Sequence, residues 1–443
     1  MSFITDKQTL EDMNLLGKYK QHSIFSLFNK VRTAGGEQLL NKMFQNPLTD
    51  PEAINKRSEI FKYFQSKQAI FPFSNKQFSQ TENYLSGSSA NNYPVTLLTL
   101  AKKKLLATVI KDEEYPNLQS GLQQTIAVLN NCKTFITQFK ENDHPFYDEL
   151  LEVSNILHDP RLEWLAEEQT TGSPQQSLQK TARYDHLLRH TLRAVLQTVM
   201  EAFYQLDVYI AVSNLAETKG FNYAQALPKE NNHLTATELR HPNIDKAVAN
   251  PVSFNQESNM IFLTGANMAG KSTFMKSFGI NVYLAHMGFP VAAKDMQFSI
   301  KDGIYSSINV PDNLDMGLSH FYAEVLRVKK VAEEVSEEKD LVIIFDELFK
   351  GTNVKDAYDA TLAVTAAFSE YRNCLFIVST HIIEAGDVLK QQNNIQTLYL
   401  PTIMNGNIPT YTYKLQPGIS SDRHGMMIIE NEGILELLEY KLN

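Results

Sequence analysis

The sequence predicts two architectures in succession, an all-helical half and an α/β half built on a sheet flanked by helices, with the change near Gly220. Three observations carry this. From about residue 8 to 215 apolar residues recur at three- and four-residue steps, and glycine and proline are sparse. After Gly220 short β-rich runs alternate with helical stretches. One of those runs flows directly into a glycine turn and a helix, Ile261-Phe262-Leu263-Thr264-Gly265-Ala266-Asn267-Met268-Ala269-Gly270-Lys271-Ser272-Thr273. At 443 residues and 43% hydrophobic content the chain has material for two cores, so the expected domains are 1–220 and 221–443.

In the helical half, His186 to Ile210 sets Leu187, Leu188, Leu192, Val195, Leu196, Val199, Phe203, Leu206 and Ile210 on one stripe, which predicts one long helix. Breaks are expected at Asn46-Pro47, between Ser86 and Pro94, and at Thr170-Thr171-Gly172-Ser173-Pro174. In the second half, strands are expected at Asn259–Thr264, Leu341–Phe345, Leu375–Thr380, Ile395–Leu400 and Thr410–Leu415.

The bulk properties narrow the function classes. Cys132 and Cys374 are the only cysteines, far apart and outside any metal spacing, so neither a disulfide framework nor a zinc site is expected. No signal-like start and no run of 18 apolar residues occurs, which predicts a cytoplasmic protein without a membrane partner. The net charge of −9 speaks against a nucleic-acid partner, yet its distribution softens that objection. Residues 1–220 hold 23 basic and 24 acidic side chains against 18 and 26 in 221–443, and residues 1–104 alone hold 14 and 8. A modest basic face on the first segment is compatible with these counts, as is a solvated helical surface.

The glycine turn predicts a phosphate-binding loop. Gly265 and Gly270 let consecutive N–H groups of Asn267, Met268, Ala269 and their neighbours point inward, and the following helix offers its positive end. Lys271 adds a point charge, Ser272 a hydroxyl for Mg²⁺, and Thr273 is the last residue of the loop expected to bind the nucleotide. Leu341 to Phe345 is a buried-strand run ending in Asp346 and Glu347, the first suited to a Mg²⁺ shell and the second to orienting or deprotonating water. A second apolar run ends at Ser379-Thr380-His381, where a polar residue at a strand end can sense a γ-phosphate. Between the glycine turn and the Leu341 run, Asp312 to Glu324 reads from its residues as a helix cap at Gly317 and Ser319.

These residues together resemble the ATPase domain of the MutS DNA mismatch-repair family, an ABC-type ATPase. TGANMAGKST, DNLDMGLSHFYAE, DELFKGTNVKDAY and STHIIEA occur in the family's order and spacing, with Arg240-His241-Pro242 ahead of them and Pro417 to Gly425 behind. Ser26 to Gly36 through Pro47 to Arg57, and Leu206-Asp207-Val208-Tyr209, are similar to its core domain. The resemblance therefore implies an α/β ABC-type P-loop ATPase domain preceded by an all-α MutS-like core and lever domain. It implies ATP and Mg²⁺ as cofactors, Lys271, Glu347 and His381 as catalytic residues, and Ser272 and Asp346 as metal ligands. It implies a homodimer in which Gly317 and Ser319 of one copy touch the nucleotide of the other, and DNA and other repair proteins as partners.

Departures from the family refine this. The mismatch-reading domain and a C-terminal extension are expected to be missing, and Phe139-Lys140-Glu141 lies in the helical half, far from where the family carries its reader. The helical half is short, so the DNA clamp is expected to be lost or reduced, with Thr171-Gly172-Ser173-Pro174 as the shortened turn. No base-stacking aromatic stands near Ala247 and Val248, which leaves Val248 and the Asn250 amide for the adenine. Two readings follow: a MutS-like DNA-binding ATPase in mismatch repair or recombination, or an ATP-driven switch that binds a protein partner without DNA. A transporter subunit is disfavoured because Asp315-Met316-Gly317-Leu318-Ser319 stands where LSGGQ would.

Overall fold

The computed structural model describes residues 2–17, 20, 22–87, 89–139, 141, 143–171, 177–308, 320–405, 408–420, 433, 434 and 437. They cluster into two units, one of residues 28–43 and 59–215, the other of residues 1–27, 44–58 and 216–443. The division is thus not a single cut near 220. Two amino-terminal stretches fall with the α/β unit, because their partners are distant in sequence and leave no local signature.

Eleven helices precede the strands among the described residues: α1 (Lys7–Asp12), α2 (Ile24–Phe28), α3 (Ala34–Gln45), α4 (Pro51–Lys67), α5 (Asn75–Ser86), α6 (Tyr93–Ile110), α7 (Glu114–Ile136), α8 (Tyr147–Leu157), α9 (Trp164–Thr171), α10 (Leu178–His186) and α11 (Arg193–Lys219). The expected breaks near 46 and between 86 and 94 are present. α5 opens with a reciprocal Ser74–Gln77 capping box, and α6 with Asn92 as cap and a proline in its first turn. The break at 170–174 lies mostly outside the described residues. The long helix expected from His186 is interrupted: Leu187–Thr191 form a π-helical turn in which Leu192 N donates to Leu187 O at 2.8 Å. Leu188 and Leu192 stay buried on either side, so apolar spacing alone could not register the extra residue. The helical core is aromatic, with Phe64, Phe73, Phe78 and Phe203 fully buried and Phe73 edge-on to Phe203 at 5.7 Å.

In the second half β1 (Asn222–Tyr223), β2 (Gln225–Leu227), β3 (Leu234–Leu239) and β4 (Asn250–Phe254) lead to β5 (Met260–Gly265) and α12 (Lys271–His286). Then follow β6 (Pro290–Val291), β7 (Asp295–Ser299), β8 (Gly303–Ser307), α13 (His320–Ser336), β9 (Leu341–Asp346), α14 (Val354–Ser369), β10 (Leu375–Ser379), α15 (Ile383–Leu389) and β11 (Ile395–Leu400). β12 (Thr402–Asn405), β13 (Ile408–Tyr411) and β14 (Gln416–Pro417) close the described part. The main sheet has the order β14-β11-β5-β10-β9-β8, parallel except for β14 at the edge. Its central strands are buried on both faces, as continuous apolar runs require. Met260, Phe262, Ile343, Phe345, Phe376 and Val378 share one core with Val331 and Val335 of α13 and Phe368 of α14. On the other face lies α12, where a Cβ on Gly279 would come 2.9 Å from the Ile344 side chain. A second sheet, β2-β7-β3-β4, is mixed.

Four of the five expected strands thus lie within one residue of their predicted ends. The fifth stops at Tyr411, because the chain turns at Tyr413 with φ +54°, a left-handed backbone incompatible with a strand. Among the described residues no helix is long and apolar enough to cross a membrane.

Candidate active site at the carboxyl edge of the sheet

Parallel pairing of β5 with β10 and of β10 with β9 brings the ends of three strands side by side. Ligands of open α/β sheets sit at such an edge. From β5 the chain curls through Gly265 (φ +146°), Met268 (φ +68°) and Gly270 (φ +102°), and α12 starts at Lys271. Gly265 also passes close to β11, since a Cβ there would lie 3.2 Å from Leu400 O. Asn267 and Met268 are exposed at the turn, while Ala269 is buried beneath it.

Lys271 is 5% exposed, and its Nζ donates to Gly265 O at 2.8 Å and Ala266 O at 3.2 Å. Burial lowers its pKa, opposed by the charges of Asp346 and Glu347. Ser272 Oγ donates to Asp346 Oδ2 at 2.5 Å, and Ser379 Oγ to Asp346 Oδ1. Glu347 turns out of the strand line with φ +58°, and its N–H bonds Ser379 O at 3.0 Å. Its carboxylate lies 2.5 Å from His381 Nε2 and 3.7 Å from Lys350 Nζ. The His381 hydrogen bond holds the Glu347 pKa below its ordinary value against partial burial. Lys271, Ser272, Asp346, Glu347 and His381 therefore converge, as their positions at strand ends predict.

Beside the loop lies a cavity of about 360 Å³ lined by residues that include Leu239, His241, Val248, Thr273, Leu400 and Tyr413. Val248 and Thr273 stand in its wall. Asn250 stands there too, but its carboxamide is committed: Nδ2 donates to Tyr413 O at 2.9 Å and Oδ1 accepts from Leu415 N at 2.7 Å. The side chain expected to meet a base edge instead holds the turn that presents Tyr413. Tyr413 supplies an aromatic that sequence reasoning sought only around Ala247; its ring carbon Cδ1 lies 2.9 Å from a Cβ built on Gly270. The signal for it was the tyrosine-rich Tyr411-Thr412-Tyr413 stretch, read as strand. His241 also faces the cavity, and burial lowers its pKa to about 4, so its ring is neutral. Gly317 and Ser319 lie outside the described residues.

Residues 261–437 match the model of MutS domain V, and residues 8–213 match that of MutS domain III. The chain belongs to the MutS family, as the motif resemblance implied. Domain V is that family's ATPase domain and domain III its all-helical core, so the two domains point to a MutS-like mismatch-repair ATPase.

Proposed function

We propose that the protein is a Mg²⁺-dependent ATP hydrolase of the ABC type that dimerises through its nucleotide domains and acts on DNA. The single observation behind this is the convergence of Lys271, Ser272, Asp346, Glu347 and His381 at one sheet edge. A triphosphate would take over the Lys271 Nζ bonds now made to Gly265 O and Ala266 O, and backbone N–H groups of the loop and of the first turn of α12 would complete its cradle. The base would enter the neighbouring cavity against Tyr413 and His241, beside Val248.

Ser272 and Asp346 would hold the cation. They offer only oxygen, and no group of three or more His, Cys, Asp or Glu side chains is poised for a metal among the described residues. Such a donor set suits Mg²⁺, which keeps most of its waters and shares phosphate oxygens. Bound there, it would neutralise phosphate charge. Glu347, kept ionised by His381 and Lys350, would orient the attacking water, and His381 would report on the γ-phosphate. Gly317 and Ser319 of a second copy would complete the site, so that ATP closes the dimer and hydrolysis loosens it.

The alternative, an ATP-driven switch whose partner is a protein and not DNA, is favoured by one feature of α6. Val95, Leu98, Leu105 and Val109 are exposed at three- and four-residue steps, with Lys102 in the same stripe. That surface fits a partner helix with an apolar face and an acidic flank. Titrating duplex, mismatched and branched DNA with ATP at two salt concentrations separates the readings. DNA binding that weakens steeply with salt supports the first, and undetectable binding at low salt supports the second. In either case Lys271→Ala is expected to abolish ATP binding.

A further inference from the structure

The cavity beside the phosphate loop has a wall whose hydrogen-bonding capacity is unevenly spent. Asn250 is buried and gives away both ends of its carboxamide, Nδ2 to Tyr413 O and Oδ1 to Leu415 N. Ser277, also buried, turns back on its own helix, its Oγ donating to Thr273 O at 2.7 Å. The Thr273 and Tyr413 hydroxyls donate or accept alike, so neither tells an amine from a carbonyl. No carboxylate stands among the described residues of the wall.

What remains is donors. Lys246 is exposed and offers only N–H groups. His241 offers one more, and its tautomer is set by its surroundings. Nδ1 accepts from Asn243 N at 3.2 Å. Burial, helped by the Lys276 charge, keeps the ring neutral, so its single proton sits on Nε2. The backbone around it is anchored: Arg240 N donates to Ala292 O at 2.9 Å, Asn281 Nδ2 to Arg240 O at 3.0 Å, and Ile244 N to His241 O at 3.4 Å.

A site built to bond a substrate N–H rejects an analogue lacking it by about 10⁴- to 10⁵-fold, because its own acceptor is stranded. A wall without a dedicated acceptor has no such lever. Adenine presents an amine at position 6, whereas guanine and hypoxanthine present a carbonyl oxygen there. Donors and ambivalent hydroxyls suit that oxygen at least as well as the amine. We infer that this cavity does not read the 6-amino group of adenine: it holds a purine by stacking and by donors, with His241 as the specificity-determining residue that favours an oxygen at position 6, so that 6-oxopurine triphosphates are substrates alongside ATP. This rests on the proposed nucleotide site and on entry of the base into this cavity.

The test compares hydrolysis by the full chain of Mg·ATP, Mg·ITP and the Mg²⁺ complex of purine riboside triphosphate, which carries no group at position 6. Their kcat/KM values are expected to lie within about tenfold of one another. A larger preference for ATP over either analogue overturns the inference, because an acceptor would then be reading the amine. His241→Phe keeps a ring and removes the donor, so kcat/KM for ITP is expected to fall roughly 3- to 10-fold relative to that for ATP, the worth of one neutral hydrogen bond. An unchanged ratio removes His241 from the assignment. The wild-type comparison needs no variant and decides the matter even should His241→Phe not fold. Failure of the underlying reading looks different. Hydrolysis of none of the three takes the nucleotide site and this inference together, and a Tyr413→Ala protein that binds ATP like wild type takes the base out of the cavity. ATP turnover with both analogues rejected removes only this inference.

Discussion

Replacing Tyr413 by alanine isolates the base-binding half of the proposed nucleotide site. The ring lies over Gly270, at the junction of the loop and the cavity, and is 45% exposed, so its loss opens no hole in the core. Its backbone work survives: Tyr413 O still accepts from Asn250, and alanine meets the same left-handed φ. What is lost is the stacking surface, worth about 1–3 kcal/mol per base, so the Kd for Mg·ATP is expected to rise roughly 5- to 150-fold. Tyr413→Phe keeps the ring and is expected to bind like wild type. Calorimetric titration measures both. Inorganic tripolyphosphate serves as the control, because it uses the loop and not the cavity. ATP affinity within twofold of wild type for Tyr413→Ala would refute the placement of the base, and equal loss of tripolyphosphate affinity would show that the loop had been disturbed instead.

Two further outcomes follow from buried polar groups. Asp207 is 1% exposed and accepts from Arg32 N, Thr33 N and Thr33 Oγ1, so Asp207→Ala strands three donors and is expected to cost about 3–5 kcal/mol in urea unfolding; a loss under about 1 kcal/mol contradicts the hydrogen-bond assignment. His286 is fully buried, with Nδ1 3.0 Å from Leu48 O and Nε2 accepting from Lys301 N, which fits only the neutral ring. Burial, then the Lys301 charge, lowers its pKa to about 4 from the unfolded value of about 6.5. Between those values the unfolded chain binds more protons, so stability is complete above about pH 6.5 and falls by up to roughly 3 kcal/mol as pH drops to 4. Urea midpoints at pH 7, 6 and 5 measure that slope, and His286→Gln is expected to flatten it; an unchanged slope in the variant assigns it elsewhere.

The reach of sequence reasoning was set by distance along the chain. Lys271, Asp346, Glu347 and His381 were legible because each sits where an apolar run ends, and a run's end is a local signal. β5, β9, β10 and β11 were legible for the same reason. Tyr413 was not, because its role depends on a turn held from Asn250, 163 residues away. The ion pair of Asp6 with Arg327 and the hydrogen bond from Ile308 N to Asp12 were hidden likewise by separations of about three hundred residues, although Asp6 followed by Thr9 is an ordinary helix-cap pattern. The π-helical turn after His186 escaped because it shifts the helix phase without breaking the apolar stripe.

The claim on which the functional reading turns is that one triphosphate is shared by two copies of this chain. Sedimentation of Glu347→Gln with Mg·ATP measures it directly. The account predicts a stable dimer retaining ATP, which reverts to monomer with ADP and never forms when Lys271→Ala is introduced as well. A Glu347→Gln protein that stays monomeric with ATP bound, or retains no nucleotide at all, would contradict it.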